Sequence, residues 1–417
     1  MFASPHKLLL IFGIALAALL SVPVLAVECD VELIFTGDRA PDVRCSPIVT
    51  VAIDQEDRLW RLWANGQQLY VDFSSDRGHS YVTPMAVNAQ PEPINTDPEN
   101  RPRLGVFGDH LVVIWARPGE KRFTSDLRIS RSADAGKTFS DPENVNRDGL
   151  EIGHSFADLS VGPNGDLLIA WLDGRDRHHH DRYHAGQAGE PFTGTSLYFT
   201  RADAPDQPLQ PEQSIARGSC ECCRLAMDRD ADGSPLVLWR HIFDGNIRDH
   251  AMGVWRNGEF AWKRSSFEDW QIEACPHHGP AMAVGDVRIH AAWFSAAEHA
   301  RGLFYRSFDL DFADTTTEPA PYANRVMPFG DPSRLPSRPA LAVNGSEVML
   351  AWQEFDGEQT HVLTRHSTDH GVTWSDPVSM AAAPGAVDHP QLLVLDDNIL
   401  LSWQVPGTGH ALVELAR

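Results

Sequence analysis

Ser367-Thr-Asp-His-Gly-Val-Thr-Trp374 is met twice more in the chain. It returns as Ser132-Ala-Asp-Ala-Gly-Lys-Thr-Phe139 and, with Ser for Thr, as Ser74-Ser-Asp-Arg-Gly-His-Ser-Tyr81. The skeleton is Ser-x-Asp-x-Gly-x-(Thr/Ser)-aromatic, and each place in it suits a tight turn between strands. The Asp carboxylate accepts backbone N–H groups, the Gly takes a positive φ, and the aromatic ring covers the hairpin. A pattern of this length met three times marks a repeat protein.

A second repeat is an apolar run ending in Trp, at Trp63, Trp115, Trp171, Trp239, Trp293, Trp352 and Trp403. A proline stands at a fixed distance ahead of four of them (Pro102, Pro280, Pro339 and Pro390), and Pro47 plays that part, slightly further ahead, in the first copy. Proline tolerates the first position of a strand and little else in a sheet. Each unit thus reads as an opening strand, a turn, a strand ending in Trp, a variable loop, a third strand and often the Ser-x-Asp turn. Period-2 alternation is clearest in residues 68–73, 126–130 and 361–365, and convincing helical stretches are absent. The expected fold is all-β, a β-propeller of four-stranded blades forming one domain over residues 27–417, with seven blades favoured and six the alternative. The last unit, from Pro390, has three strands, so the N-terminal strand Val31 to Phe35 is expected to supply the fourth and close the ring.

The repeated turn resembles the Asp box of the sialidase-like β-propellers (BNR repeats). That resemblance implies that opening strands line a central channel and start at its functional face. It puts Asp76, Asp134 and Asp369 on the opposite rim, as structural residues. Sialidases of this superfamily have six blades and bind the substrate carboxylate with an Arg triad. They also use a Tyr nucleophile with a Glu partner and an Asp acid/base. Carried onto this chain, the resemblance offers Arg44, Arg103, Arg224 and Arg338 for the triad, Asp158 for the acid and Tyr305, or Tyr322, for the nucleophile.

Residues 1–26 read as a secretory signal peptide, with Lys7, an apolar run from Leu8 to Leu20 and the small-residue end Val24-Leu25-Ala26. The expected location is periplasmic or extracellular, with no membrane span after the signal is removed. Asp and Glu number 57 against 35 Lys and Arg, a net charge of -22, which argues against a nucleic-acid partner. A partner protein on the acidic outer faces stays open.

Aligning the units collects Arg44, Arg101, Arg103, His154, Asp158, Arg224, Arg338 and His389 at the channel mouth. Several arginines around one channel suit a small anionic or glycan ligand, since guanidinium forks bind carboxylates. The most distinctive cluster joins Cys220, Cys222 and Cys223 with Cys275, His277 and His278. Both runs precede opening strands of neighbouring units, so they are expected to meet at one rim. Thiols and imidazoles in that number suit copper or zinc, or a redox-sensitive thiol group. Six cysteines in an exported chain equally suit disulfides, and Cys29 with Cys45 is the expected structural pair. The cluster has no part in sialidase chemistry. In the loop after Trp171, His178, His179, His180 and His184 read as a solvated polar segment, with metal binding the alternative. In the loop after Trp239, Arg240, Asp244, Arg248 and Asp249 are expected to pair with one another.

Overall fold

The structure, a computed structural model, describes residues 29, 40–183, 192–312 and 326–415. The expected signal peptide, the ring-closing strand at 31–35, His184 and Tyr322 lie outside the described residues. Among the described residues, no helix is long and apolar enough to cross a membrane.

Seven antiparallel sheets follow one another along the chain, six of four strands and the last of three. Their innermost strands are Val49–Ile53, Arg103–Phe107, His154–Val161, Ala226–Arg229, Ala281–Val284, Ser337–Asn344 and Gln391–Leu395. Each touches the next, and Gln391–Leu395 touches Val49–Ile53, so the blades form a closed ring around a channel. Seven units in the sequence have become seven blades.

The second strand of every blade carries the repeated Trp, and all seven indoles are buried. Apolar side chains gather in seven clusters, one at each seam between neighbouring blades. The repeated Trp fills a seam, and among the described residues every one of the seven indole N–H groups except that of Trp293 finds an acceptor. Trp171 donates to Asp173 at 2.7 Å, Trp352 to Glu354 at 2.9 Å and Trp403 to the Asp388 carbonyl at 3.0 Å. Truncating such a ring to Ala typically costs about 3–5 kcal/mol. One Trp phase across the chain therefore records one packing problem solved seven times.

The three Ser-x-Asp turns share one geometry. Asp369 accepts the Thr373 N–H at 2.8 Å and its hydroxyl at 2.6 Å, and Ser367 accepts the Gly371 N–H at 2.9 Å. The same bonds recur around Asp134 and Asp76. Gly371 sits at φ +81° with the Tyr305 hydroxyl where a Cβ would be, so glycine is required there.

The loop after Trp171 departs from expectation. Residues Arg175–Tyr183 form an α-helix rather than an irregular polar segment. Asp173, at the end of its strand, accepts the Arg175 N–H at 2.9 Å and starts the first turn. With no buried residue, the helix carries no apolar stripe for sequence reading to detect.

Candidate functional site

The inter-blade connections rise to the face where the inner strands begin. There a short 3-10 turn, Pro98–Asn100, opens when Asp97 accepts the Glu99 N–H at 2.8 Å. The turn points Glu99 inward, where it is 2% exposed. Its Oε1 accepts from the Arg224 guanidinium at 2.9 Å and from Arg338 at 2.5 Å. Its Oε2 accepts the N–H groups of Arg224 at 3.2 Å and Gly279 at 3.1 Å. Burial pulls the Glu99 pKa up, but Arg224, Arg338 and the two N–H groups outweigh it and hold the carboxyl below its ordinary range.

The channel mouth is a cavity of about 320 Å³ lined by Arg101, Arg103, Asp158, Arg224 and His389 among others. Arg101 forms a buried pair with Asp388, and Arg103 lies 3.4 Å from Asp158. Burial raises the Asp158 pKa, against Arg103 and two backbone N–H groups. Four of the expected arginines thus meet here, each facing a carboxylate of the protein. Arg44 does not join them. It pairs with Asp42 at 2.6 Å, and its carbonyl accepts from Gly407 at the seam of the first and last blades. Tyr305 is also elsewhere, because its hydroxyl bonds His290 Nδ1 at 2.6 Å and its ring packs on Trp374 of the opposite-rim turn. His154 is held at the junction with the preceding blade, its ring bonding Asp148 at 3.0 Å and the Ser125 carbonyl at 2.8 Å. Among the described residues no Tyr–Glu pair stands at the arginine cluster.

The two cysteine runs do meet. Cys220 to Cys223 connect the third blade to the fourth, and Cys275 to His278 connect the fourth to the fifth. Cys220 Sγ lies 3.5 Å from Cys223 Sγ and 4.0 Å from Cys222 Sγ. Cys222, Cys275 and His277 bring ligand atoms within 4.8 Å of one another. These four thiols are free, whereas Cys29 and Cys45 form a disulfide as expected. Arg248 donates to Cys220 Sγ at 3.5 Å. Hydrogen bonds from Cys222 and Cys223, with Arg240 nearby, hold the Cys220 pKa well below the usual thiol range. A hydrogen bond from Cys222 lowers Cys275 to about 7.

His278 is the exception in the cluster. It stacks on Phe294, with ring centroids 4.0 Å apart, and burial pushes its pKa down to about 3. Arg240 does not pair within its loop as expected but donates to the carbonyls of Arg248, His278 and Phe294. Asp249 pairs with Arg264 instead.

Two contacts tie the cysteine runs to the arginine knot. Glu99 Oε2 grips one N–H just after Cys223 and another just after His278. Arg338 donates both to Glu99 and to the His277 carbonyl. Gly279 is needed at this junction, since a Cβ there would stand 2.1 Å from Arg224 Cγ. Sequence reading missed Glu99, although Asp97-Pro98 ahead of it is a cap-and-proline turn signal and it stands two residues before Arg101.

Cys222, Cys275 and His277 also line a cleft of about 660 Å³, separate from the channel mouth, whose other walls include Phe123, Phe156, Leu172 and Arg177. Phe156 packs on the three buried cysteines.

No family model matches the chain, and no curated protein does. Solved structures do resemble it. An ulvan lyase of polysaccharide lyase family PL25 aligns at 8% identity with a TM-score of 0.52, over 90% of this chain and 93% of that one. The chain is a seven-bladed β-propeller. A structure of the lyase bound to -[GlcA(1-4)Rha3S]- gives a TM-score of 0.51 at 8% identity, over 90% and 93% of the two chains. Hadza microbial sialidase Hz136 aligns at 14% identity with a TM-score of 0.48, over 86% of this chain and 77% of that one. At 8% identity the likeness to the lyase is one of fold alone, and the chemistry of this chain has to be argued from its own residues.

Proposed function

We propose that this protein is an exported β-propeller that binds a soft metal ion, Cu(I) or Zn(II), through Cys220, Cys222, Cys223, Cys275 and His277. The observation that carries the reading is the convergence of two loops from different blade junctions. Their free thiols approach to 3.5 and 4.0 Å, and an exposed imidazole stands beside them. Two thiolates on one ion at a metal–sulfur distance of about 2.3 Å are separated by about 3.8–4.0 Å. The 4.0 Å Cys220–Cys222 separation matches this, and the 3.5 Å Cys220–Cys223 separation needs only a small opening to reach it. Arg248 beside Cys220 offsets part of the thiolate charge. Export is supported by the N-terminal sequence pattern and agrees with the Cys29–Cys45 disulfide.

The arginine-lined mouth supports a free anion or glycan ligand less well. Arg101, Arg103, Arg224 and Arg338 already face Asp388, Asp158 and Glu99, so a ligand carboxylate would have to compete with them.

The test is metal content with thiol titration on protein purified anaerobically from cells supplied with copper and zinc. Bound metal that is lost in Cys222→Ser supports the reading. Metal-free protein whose four cysteines are all oxidised overturns it and makes the cluster a set of disulfides.

A further inference from the structure

The cysteine site is better described as two sites than as one. Among the described residues, its ligand atoms fall into two groups, Cys220/Cys222/Cys223 and Cys222/Cys275/His277, each with all atoms within 4.8 Å. They share Cys222. The first group is enclosed, with its residues 1%, 5% and 2% exposed and Phe156 packed over them. The second has Cys275 and His277 at the surface, on the wall of the 660 Å³ cleft.

We propose that the protein holds two Cu(I) ions bridged by the Cys222 thiolate, an inner ion retained by Cys220 and Cys223 and an outer, exchangeable ion held by Cys275 and His277. This rests on the metal-binding reading above and specifies its stoichiometry and its open side. Three ligands in each group suit Cu(I), which is soft and accepts low coordination numbers, better than structural zinc, which is almost always four-coordinate. A thiolate has lone pairs for two ions, and Cys222 is the residue that both groups contain.

The backbone gives a second, independent indication that the cleft is a working surface. Phe123 and His277 have φ of +63° and +51°, whereas the positive φ of Phe156 and Arg338 belongs to β-bulges opposite Trp171 and Trp352. A bulky non-glycine residue in that region costs about 1–2 kcal/mol and persists where the surroundings over-determine it, often at ligand sites. Phe123 and Phe156 line the cleft, His277 is an outer ligand, and Arg338 holds the His277 carbonyl. Phe123 is 82% exposed, with Arg122 over its ring, so the cleft that Cys275 and His277 line also has an exposed apolar wall. An incoming thiolate, thioether or imidazole on a partner with an apolar neighbour would meet the outer ion there.

The experiment is anaerobic Cu(I) loading of the mature protein. Equivalents are counted by native mass spectrometry, followed by challenge with bathocuproine disulfonate. Two equivalents are expected, one removed at least tenfold faster than the other. Cys275→Ser and His277→Ala, both at exposed positions, should retain a single slowly released equivalent, and Cys222→Ser should lose both. Thermal melts of each variant separate loss of ligands from loss of fold. One equivalent in the wild type that disappears in Cys275→Ser would overturn the bridged pair in favour of a single mixed site and leave the metal-binding reading intact. No bound copper in the wild type would overturn both.

Discussion

Glu99→Gln tests whether the arginine knot positions the cysteine loops. The carboxylate makes four polar contacts: two guanidinium groups on Oε1 and two backbone N–H groups on Oε2. A glutamine has one acceptor oxygen. Whichever way its amide is turned, its NH2 faces either two guanidiniums or two N–H donors, and the negative charge is lost. Removing one partner from a buried, hydrogen-bonded ion pair costs about 3–5 kcal/mol. At about 2.1 cal/mol/K per residue, a chain of 417 residues has an unfolding entropy of about 0.9 kcal/mol/K, so the melting temperature should fall by about 3–6 °C. The two N–H groups on Oε2 follow Cys223 and His278 directly, and Arg338 on Oε1 also holds the His277 carbonyl, so either orientation of the amide should loosen the ligand-bearing loops. Disrupting such supporting bonds typically weakens metal binding 10- to 100-fold. Calorimetry and a Cu(I) competition titration on the same preparations read the two effects. A lower melting temperature with unchanged copper affinity would refute the positioning argument and confine Glu99 to holding the channel. An unchanged melting temperature would refute the account of the knot itself.

Burial lowers the His290 pKa to about 4, so the folded state keeps this ring neutral while the unfolded chain protonates it near 6.5. The unfolded state then binds more protons below pH 6.5. Stability should therefore drop as pH falls towards 4, by about 2 kcal/mol between pH 7 and 5 from this residue. Urea melts at the two pH values should show a shallower change in His290→Gln. Gly371→Ala puts a Cβ 1.9 Å from the Tyr305 hydroxyl, whereas Gly136→Ala, at a similar φ, meets nothing nearer than 3.4 Å. The first should cost about 2–4 kcal/mol and the second about 1 kcal/mol in equilibrium unfolding. Among the described residues Trp293 Nε1 has no hydrogen-bond partner, but Trp352 Nε1 donates to buried Glu354. Trp352→Phe should therefore destabilise the chain by about 1–2 kcal/mol more than Trp293→Phe, measured in the same melts.

The propeller was legible in the sequence because each blade must solve the same local problem. A Ser-x-Asp-x-Gly turn closes with bonds inside eight residues, and a Trp must fill each seam. Both needs write themselves into the chain at a fixed phase, so Trp63 to Trp403 foretold seven blades. The meeting of Cys222 with Cys275 was legible for the same reason, since both runs precede inner strands of adjacent blades. The nine-residue helix after Trp171 was not, because a helix with no buried face leaves no period to read.

What repeat phase cannot convey is the direction of a side chain once neighbouring blades compete for it. Phase placed Arg44 and His154 with the channel residues, but Asp42 and Asp148 nearby in sequence capture them. It placed His278 with the ligands, yet the Phe294 ring takes it. Glu99 acquires its role from Arg224, Gly279 and Arg338, which lie 125, 180 and 239 residues further along the chain. The sequence by itself determined the blade count and which loops share a rim, because those follow from short-range turns and a repeated core residue. The tertiary structure decided that the arginines are already matched by acids and that the thiols fall into two groups sharing Cys222. Both outcomes depend on contacts between blades that no local pattern encodes.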